Sequence, residues 1–416
     1  MSDHNQYTTS KVEEKDFTSG WAVAVIIAGT GVSLPILYLG AEIALQAGFQ
    51  DAMWAFRLST VILTAFCMAT TLIGNRSRLS TYMILRFPFG KKGAHLINFM
   101  IGISLLGWFS VALELLAQAI QDTSLATLSI QIPLWIIIII TSLFITVTTI
   151  YGIRSIEKLA NITVPILLLF LIYVLYKCLG MERESVPIIS YLPSEDKMSL
   201  FDATATLVGS SILLPVLMAD FSRFIYNDKQ SLVAVLGVTI GFPLVLIISA
   251  LTAIQTGEVD IIQIMKSVDL IIPAFVLLFA TTWFTNSTNL YSISLTFSTM
   301  FSGQGFRIIC IATSICGTIL ALFGFSDYLF DFLTVLGVFT PSVSAIYIID
   351  FFLIKKQRYE LDLIPVWGRN GLIAWAISSA IALLIYLDYF QLTQAYFIDS
   401  FLIAGGIYML LERKYV

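Results

Sequence analysis

Residues 29–35 of this chain read Gly29-Thr30-Gly31-Val32-Ser33-Leu34-Pro35, and residues 209–215 repeat the pattern as Gly209-Ser210-Ser211-Ile212-Leu213-Leu214-Pro215. Each stretch interrupts a long apolar segment, with glycine first and proline six positions later. Glycine and proline both weaken a continuous helix. Inside a bilayer, the backbone groups that they free need protein, water or a ligand as partners. A matched pair of interrupted helices, one in each half of a chain, is typical of transporters whose binding site lies between two repeats.

The composition is that of a membrane protein. Apolar residues make up 58% of the 416 residues and charged residues only 12%, whereas soluble domains carry about 25% charge. The net charge of −4 argues against a nucleic-acid partner. With His4 and His95 as the only histidines, no Cys/His metal cluster is expected. The cysteines are expected to be buried small hydrophobes, and they are Cys67, Cys178, Cys310 and Cys316.

Twelve apolar segments are long enough to cross a bilayer of about 30 Å. They lie near residues 20–47, 52–74, 94–121, 131–151, 157–179, 199–222, 230–254, 269–300, 307–324, 328–354, 370–388 and 395–411. Interruptions in the first and sixth segments predict two repeats of five spans, and because five is odd the second repeat is inverted. The predicted fold class is therefore an all-α polytopic membrane protein with a LeuT-like inverted repeat. Its parts are a cytoplasmic tail (1–19), the first repeat (20–180), the second repeat (181–354), and spans 11 and 12 with the C-terminal tail (355–416).

The distribution of Lys and Arg predicts that both termini are cytoplasmic, because positive residues concentrate on the inner loops of membrane proteins. The predicted location is the cytoplasmic membrane. The residues placed outside are Arg57, Lys177, Arg183, Lys197 and Lys266. The residues placed inside are Lys11, Lys15, Arg76, Arg78, Arg86, Lys91, Lys92, Arg154, Lys158, Arg223, Lys229, Arg307, Lys355, Lys356, Arg358, Arg369, Arg413 and Lys414.

Span 3 combines a flat aromatic face with a buried carboxylate. Trp108 follows Gly107 in mid-span, and a planar heterocycle stacked on such a face gains about 1–3 kcal/mol. A role in helix packing is the competing interpretation. Glu114 lies seven residues beyond Gly107 on the same helical face. Because ionisable residues inside membranes are costly and often relay protons, Glu114 is a candidate for proton coupling. For Glu42, near the end of span 1, solvation at the interface is the favoured interpretation.

Span 8 is unusually polar, with the sequence Thr281-Thr282-Trp283-Phe284-Thr285-Asn286-Ser287-Thr288-Asn289. Thr281 and Thr285 share one helical face, and their hydroxyls could supply oxygen ligands to a hard cation opposite span 1. Asn286 offers a donor and an acceptor to an amide-like ligand edge. The alternative is ordinary hydrogen bonding between helices, which is common in membranes.

Several motifs resemble the nucleobase–cation symporter-1 family, the purine, cytosine, allantoin and hydantoin permeases, and most of all its cytosine-permease branch. They span nearly the whole chain in the family's order. The motifs are residues 79–93 (LSTYMILRFPFGKKG), Gly107-Trp108-Phe109, Gly209-Ser210, residues 219–224 (ADFSRF), Thr285-Asn286 with Leu290-Tyr291, and residues 341–359 (PSVSAIYIIDFFLIKKQRY).

This resemblance implies a LeuT-like fold that holds the substrate between spans 1, 3, 6 and 8. Trp108 would stack on the heterocycle, Ser210 would bond it, and Asn286 would read its polar edge. The substrate-binding candidates are Trp108, Ser33, Gly209, Ser210, Ser211 and Asn286. A sodium ion, as in sodium-coupled members, would lie between the carbonyls of span 1 and the hydroxyls of span 8. The cation-binding candidates are Gly29, Val32, Thr281 and Thr285.

Four positions depart from the pattern of cytosine-type members. This chain has Leu105 in place of a glutamine, Ser211 in place of an aromatic residue and Leu213 in place of a hydroxyl residue. The pocket should therefore lack an amide contact and a second stacking face. Phe284 stands where a further hydroxyl would complete the sodium site. Sodium, if used, should therefore bind weakly, and proton coupling through Glu114 becomes a rival.

The favoured function is a secondary transporter that imports a nucleobase or similar small planar heterocycle by alternating access, coupled to sodium or protons. A non-nucleobase heterocycle, such as a thiamine precursor or a hydantoin, is the alternative substrate. A membrane-embedded enzyme is disfavoured because the sequence shows no nucleophile–base pair, metal cluster or phosphate loop. A non-transporting sensor is disfavoured because no soluble output domain is present. No cofactor is expected beyond the coupling ion, and the oligomeric state is left open.

Overall fold

The computed structural model of the chain is almost entirely helical. It describes residues 10–413 except 152, 182–186, 194–196, 301–304, 391 and 394, and it does not describe the side chains of residues 151, 153–161 and 299. Among the residues used in the predictions above, His4, Arg183 and Lys414 lie outside this part of the chain. The side chains of Arg154 and Lys158 lie outside it as well.

Helices occupy all twelve predicted spans. In chain order they are Gly20–Gly31 with Leu34–Ala47 (span 1), Phe49–Ser77 (span 2), Arg86–Leu128 (span 3), Leu134–Tyr151 (span 4), Ile153–Leu179 (span 5), Leu200–Ser211 with Leu213–Ser222 (span 6), Asp228–Thr256 (span 7), Ile271–Met300 (span 8), Phe306–Leu322 (span 9), Leu329–Ile349 with Asp350–Ile354 (span 10), Arg369–Tyr386 (span 11) and Tyr396–Glu412 (span 12).

The lengths of these helices are consistent with twelve crossings. Within the described residues, eight helices are long and apolar enough to span a membrane, and the bent pair of span 1 makes a ninth. Spans 4, 9 and 12 have 18, 17 and 17 residues, close to the lower limit of about 17 residues for a crossing.

The packing of the spans follows the five-plus-five arrangement. Span 1 packs against span 7, and span 6 packs against span 2. Spans 1 and 6 are equivalent in the two repeats, as are spans 2 and 7, so these two contacts correspond to each other. Span 3 packs extensively against span 8, and these two spans are each other's counterparts under the same exchange. The midpoint between the repeats therefore lies among spans 1, 3, 6 and 8, where the sequence predicts the binding site.

A short N-terminal segment closes one end of the bundle. Residues 12–18, which we call the N-terminal strap, run across the ends of spans 2 and 6. The backbone amide of Val12 donates to the carbonyl of Arg78 at 3.1 Å, and that of Thr18 donates to Phe224 at 2.7 Å. The Thr18 carbonyl then accepts from the Tyr226 amide at 3.3 Å. These bonds fix the strap to two different spans of the bundle.

A short helix lies between spans 7 and 8, outside the spans. It comprises Ile261–Ser267, and the Asp260 carboxylate caps its N-terminus by accepting from the amide of Ile262 at 2.7 Å. Burial, the largest cause, raises the pKa of Asp260 to about 6 together with the nearby Asp122 and Glu258 carboxyls, while the hydrogen bond from the Ile262 amide lowers it. Asp260 is therefore harder to ionise in the folded protein than in the unfolded chain.

Asp260 predicts a pH dependence of stability. Because its pKa is raised on folding, its contribution to stability is complete below about pH 4 and is lost as the pH rises through about 6, with an upper limit of about 3 kcal/mol. The melting temperature of the purified protein should therefore fall between pH 4.5 and 7.5. Asp260→Asn keeps the cap and should flatten this slope, whereas Glu258→Gln, as a control, should change it little. An unchanged slope in the Asp260 variant would contradict the assignment.

One cysteine differs from the prediction. Cys67, Cys178 and Cys310 are buried, as expected, but Cys316 is exposed on span 9. Its neighbours one position before and three after, Ile315 and Ile319, are also exposed. Apolar side chains suit both a helix face that points to lipid and one that points to the protein core. An apolar run in the sequence therefore does not predict on which of these faces Cys316 lies.

Candidate functional site

Span 1 breaks at the predicted place. Its first half ends where Val32 (φ −93°, ψ 72°) and Ser33 (φ −135°, ψ 156°) leave the helical region, and the two halves are bent by 59°. Pro35 lies in the first turn of the second half, where a missing N–H costs no intrahelical bond. The bend exposes Thr30 and Ser33 to a central cavity.

The interruption in span 6 is slighter. Only Ile212 separates the two helices, and its backbone remains right-handed (φ −64°, ψ −26°). The two halves together form one 23-residue span, Leu200–Ser222, whereas span 1 is the one pair bent by more than 40° in the described part of the chain. The local cause is Pro215, because its ring nitrogen cannot donate to the carbonyl of Ser211 four residues earlier.

The two interruptions border a cavity of about 130 Å³. None of the described side chains that line it carries a formal charge. The polar lining consists of Thr30, Ser33, Ser210, Ser211, Thr285, Thr288, Asn289 and Ser292. The remaining lining consists of Ile27, Gly31, Pro35, Ile36, Leu105, Trp108, Ala112, Leu213, Leu214, Leu217, Phe221, Gly237, Val238 and Phe242.

Trp108 lies on the wall of this cavity with only 9% of its surface exposed. Phe332 meets the indole edge-on, with the ring centroids 5.9 Å apart. Gly107 lies beneath the rings of Phe332 and Phe325, because a Cβ there would be 2.6 Å and 3.3 Å from them. These two phenylalanines form what we call the aromatic lid, at the opposite end of the bundle from the N-terminal strap.

Glu114 contacts the segment that carries Phe325 of the aromatic lid, and it does not line the cavity. Its carboxylate accepts a hydrogen bond from the Ser326 amide at 2.8 Å and is 4% exposed. Ser326 belongs to the short 3₁₀ helix Phe325–Tyr328, so Glu114 holds the lid segment to span 3. Glu42 is less deeply placed and accepts a hydrogen bond from Gln46 on its own helix.

Span 8 presents a polar stripe to the cavity. Its members are Thr285, Thr288, Asn289 and Ser292, at spacings of three, four and seven residues from the first, which place them on one helical face. Only Thr285 was singled out from the sequence. The others could have been found by continuing the helical period from Thr285 instead of selecting the densest polar cluster.

Asn286 does not line the cavity. It is fully buried, and its amide nitrogen donates to the Phe109 carbonyl on span 3 at 3.2 Å. Asn289, three residues later, takes the position at the cavity that the sequence analysis gave to Asn286. Asn286 and Asn289 therefore differ in role: Asn286 joins two helices, and Asn289 faces the cavity.

Gly209 also lies behind the cavity wall. A Cβ at this position would be 2.3 Å from the backbone oxygen of Leu333 on span 10. Its lack of a side chain therefore permits close packing of spans 6 and 10, whereas Ser210 and Ser211 reach the cavity. The hydroxyl of Ser210 donates to the Leu207 carbonyl at 2.7 Å, which leaves its oxygen able to accept from a ligand.

The four predicted cation ligands supply at most four oxygens, two backbone carbonyls and two hydroxyls. The Gly29 carbonyl accepts from the Val32 amide at 3.2 Å. The Thr281 hydroxyl donates to the carbonyls of Leu277 and Leu278 at 3.1 Å each. Thr285 alone has an unpartnered hydroxyl, and it belongs to the stripe that faces the cavity. Four oxygens are fewer than the about six that complete the shell of a hard cation, so this donor set does not fit a sodium ion.

Comparison with known proteins identifies the family that the sequence motifs resemble, and the match covers nearly the whole chain. Residues 11–409 match the model of a family described as permeases for cytosine/purines, uracil, thiamine and allantoin. The cytosine permease of Escherichia coli K12 is 26% identical over 361 residues, which is 86% of this chain and 84% of that protein.

Solved transporter structures share the fold. Mhp1, a nucleobase-cation-symport-1 family transporter, in a closed conformation with bromovinylhydantoin bound has a TM-score of 0.85 at 19% identity, covering all of this chain and 96% of Mhp1. Its inward-facing conformation has a TM-score of 0.84 at 20% identity, covering all of this chain and 94% of the other. A sodium-coupled sialic acid symporter follows with a TM-score of 0.69 at 12% identity, covering 99% and 93%. These similarities confirm the predicted LeuT-like architecture.

Proposed function

Because this chain belongs to the family of permeases for cytosine/purines, uracil, thiamine and allantoin, we propose that it imports a nucleobase or similar small planar heterocycle by alternating access. The transport crosses the cytoplasmic membrane, with both termini on the inner side, as the Lys and Arg distribution indicates. The relatives named above carry cytosine or bind a hydantoin, which supports this substrate class.

The observation that carries the proposal is the central cavity with Trp108 on its wall. A flat aromatic face offers stacking energy to any planar heterocycle, and the uncharged polar lining offers hydrogen bonds to a neutral one. A volume of about 130 Å³ is well below the roughly 300 Å³ at which pockets for drug-sized ligands begin. A single-ring heterocycle therefore suits the cavity better than a larger ligand.

The two ends of the bundle supply the gates that alternating access needs. The aromatic lid covers Trp108 at one end, and the N-terminal strap crosses the other end. Spans 6 and 8 run in the same direction, so Phe221 and Ser292 extend the cavity toward the strap. We take this as the route by which substrate leaves toward the cytoplasm.

The alternative substrate is a heterocycle that is not a nucleobase, such as a hydantoin or a thiamine precursor. Leu105, Ser211 and Leu213 all line the cavity, at the positions where cytosine-type members would place an amide, an aromatic ring and a hydroxyl. Two aliphatic side chains and a hydroxyl there favour a ligand with one stacked face and fewer polar groups than cytosine.

Uptake into proteoliposomes tests the function directly. The purified chain should accumulate at least one radiolabelled compound from a panel of cytosine, uracil, purines, hydantoins and thiamine precursors, and unlabelled compound should compete. Liposomes containing the Trp108→Ala variant serve as the control. Absence of saturable uptake for every member of the panel would reject the proposal, and a hydantoin or thiamine precursor as the sole substrate would select the alternative.

Asn289 and Asn286 should respond differently to truncation. Asn289→Ala removes a cavity-facing amide, so the Kd of the transported compound should rise about threefold to tenfold, as expected for one neutral hydrogen bond. Its melting temperature should stay within a few degrees of the parent. Asn286→Ala leaves the Phe109 carbonyl without its partner, so it should mainly lower the melting temperature. Binding and melting measurements on both variants decide the assignment, and the reverse pattern would restore Asn286 as the ligand-reading residue.

The coupling ion is the remaining part of the proposal. The two candidates are a sodium ion between spans 1 and 8 and a proton on Glu114. Because Glu114 accepts from Ser326 in the aromatic lid segment, a proton on this carboxylate would act on the lid. This contact supports the proton as coupling ion.

A further inference from the structure

The region between spans 1 and 8, where a cation would lie, contains apolar side chains. A Cβ built on Gly29 would be 3.0 Å from a methyl group of Val164 and 3.7 Å from the ring of Phe284. Val164 and Phe284 are each 1% exposed. The backbone of Gly29 is thus covered by a methyl group from span 5 and a ring edge from span 8.

The helical positions explain why the ring lies there. Phe284 follows Thr281 by three residues, so both project from neighbouring faces of span 8. Thr285, one residue later, is turned to the cavity. The ring of Phe284 is therefore the side chain that span 8 directs toward Gly29, while the Thr281 hydroxyl donates to its own helix and the Thr285 hydroxyl faces the cavity.

A hard cation cannot share this space with a phenyl ring and a valine methyl. Desolvation of an ion inside a protein is tolerated only when oxygen ligands replace its water shell. Here the candidates Gly29, Val32, Thr281 and Thr285 offer at most four oxygens, fewer than the about six that a hard cation takes. The side-chain atoms nearest a Cβ built on Gly29 are carbons of Val164 and Phe284.

We propose that the Phe284 ring, packed on Gly29 beside Val164, takes the place of a coupling sodium ion and makes transport by this chain independent of sodium. This inference rests on the proposed transport function and specifies its ion dependence. Phe284 supplies through apolar contact the link between spans 1 and 8 that an ion would supply through oxygen ligands. This contact involves no external ion.

The first test measures ion binding without any substrate. The melting temperature of the purified protein is recorded in NaCl, KCl and choline chloride at equal ionic strength. Because a specific ligand stabilises the folded state, a sodium site would raise the melting temperature in NaCl alone. We expect equal values in the three salts for the parent protein. A sodium-specific rise of about 2 °C or more in the parent would overturn the proposal.

Variants at one position identify the side chain responsible. Phe284→Ser adds an oxygen and removes the ring, and it should gain a sodium-specific rise in melting temperature. Phe284→Leu removes the ring but adds no oxygen, so it should gain none and controls for the created space. Phe284→Thr replaces the serine variant if that protein does not fold. Folded serine and threonine variants that both ignore sodium would overturn the assignment to Phe284.

The second test uses the compound found by the uptake panel. Initial uptake into proteoliposomes should be the same, within about twofold, with an inward sodium gradient or with choline in its place. An acceleration by sodium in the parent would overturn sodium independence while leaving transport intact. Absence of any uptake would instead count against the proposed function, while the melting measurements would still decide whether sodium binds.

Discussion

Replacement of Trp108 by alanine is expected to abolish measurable uptake and to weaken binding of the transported heterocycle by about one to two orders of magnitude, as loss of a stacking face worth about 1–3 kcal/mol implies. The residue lies on the cavity wall, where its indole makes a T-shaped contact with Phe332 of the aromatic lid. The part of the indole that borders the cavity is the surface on which a heterocycle would stack. Scintillation proximity or calorimetry on the purified variant measures the change in affinity.

Two controls separate stacking from packing at this position. Trp108→Tyr keeps an aromatic face and should retain partial binding. Trp283→Ala removes another tryptophan within the membrane, whose indole nitrogen donates to Thr148 on span 4 at 2.9 Å and which lies away from the cavity. It should lower stability more than affinity. Unchanged affinity in the Trp108→Ala variant would assign Trp108 to helix packing.

Gly209→Ala should disrupt the packing of spans 6 and 10. The added carbon would lie 2.3 Å from the Leu333 backbone oxygen, and a backbone atom cannot rotate away as a side chain can. Overpacking of a dense interior typically costs about 1–3 kcal/mol and shifts the backbone. Spans 6 and 10 would have to separate, so both melting temperature and uptake should fall.

The serine that follows Gly209 provides the comparison. Ser210→Ala removes a hydroxyl at the cavity and adds no atom, so it should retain the melting temperature and change only affinity. Expression and melting of the two variants in detergent, followed by uptake, distinguish the effects. Normal stability and uptake of the Gly209→Ala variant would show that spans 6 and 10 do not approach as closely as described.

The sequence contained enough to predict the architecture. Two interrupted segments separated by 180 residues, together with twelve apolar runs, led directly to the inverted repeat. These features are local in character, since glycine, proline and hydrophobicity act through the backbone and the lipid. The severity of each break was not predictable, because Pro35 and Pro215 both remove a donor, yet only span 1 bends strongly. The backbone of Ile212 stays right-handed, so span 6 continues through its interruption.

The side chains at the site were predicted less completely. Trp108, Ser33, Ser210 and Ser211 reach the cavity as expected, whereas Asn286 and Gly209 lie behind it. The rotation of span 8 about its axis decides between Asn286 and Asn289, which are three residues apart. That rotation depends on how span 8 packs on spans 3 and 5, and no pattern within span 8 specifies it. The identity of the cavity-facing asparagine therefore required the structure.

The N-terminal strap has a consequence for the order of biosynthesis. Thr18 pairs with Phe224 and Tyr226, and the backbone amide of Gly20 donates to the Gln230 side chain across a separation of 210 residues. At about 5–20 residues per second, a ribosome needs roughly ten to forty seconds to make that intervening length. Throughout this interval Thr18 and Gly20 lack these partners, although Val12 can already pair with Arg78. Closure at this end must therefore be among the late steps of assembly, after the second repeat has started to enter the bilayer.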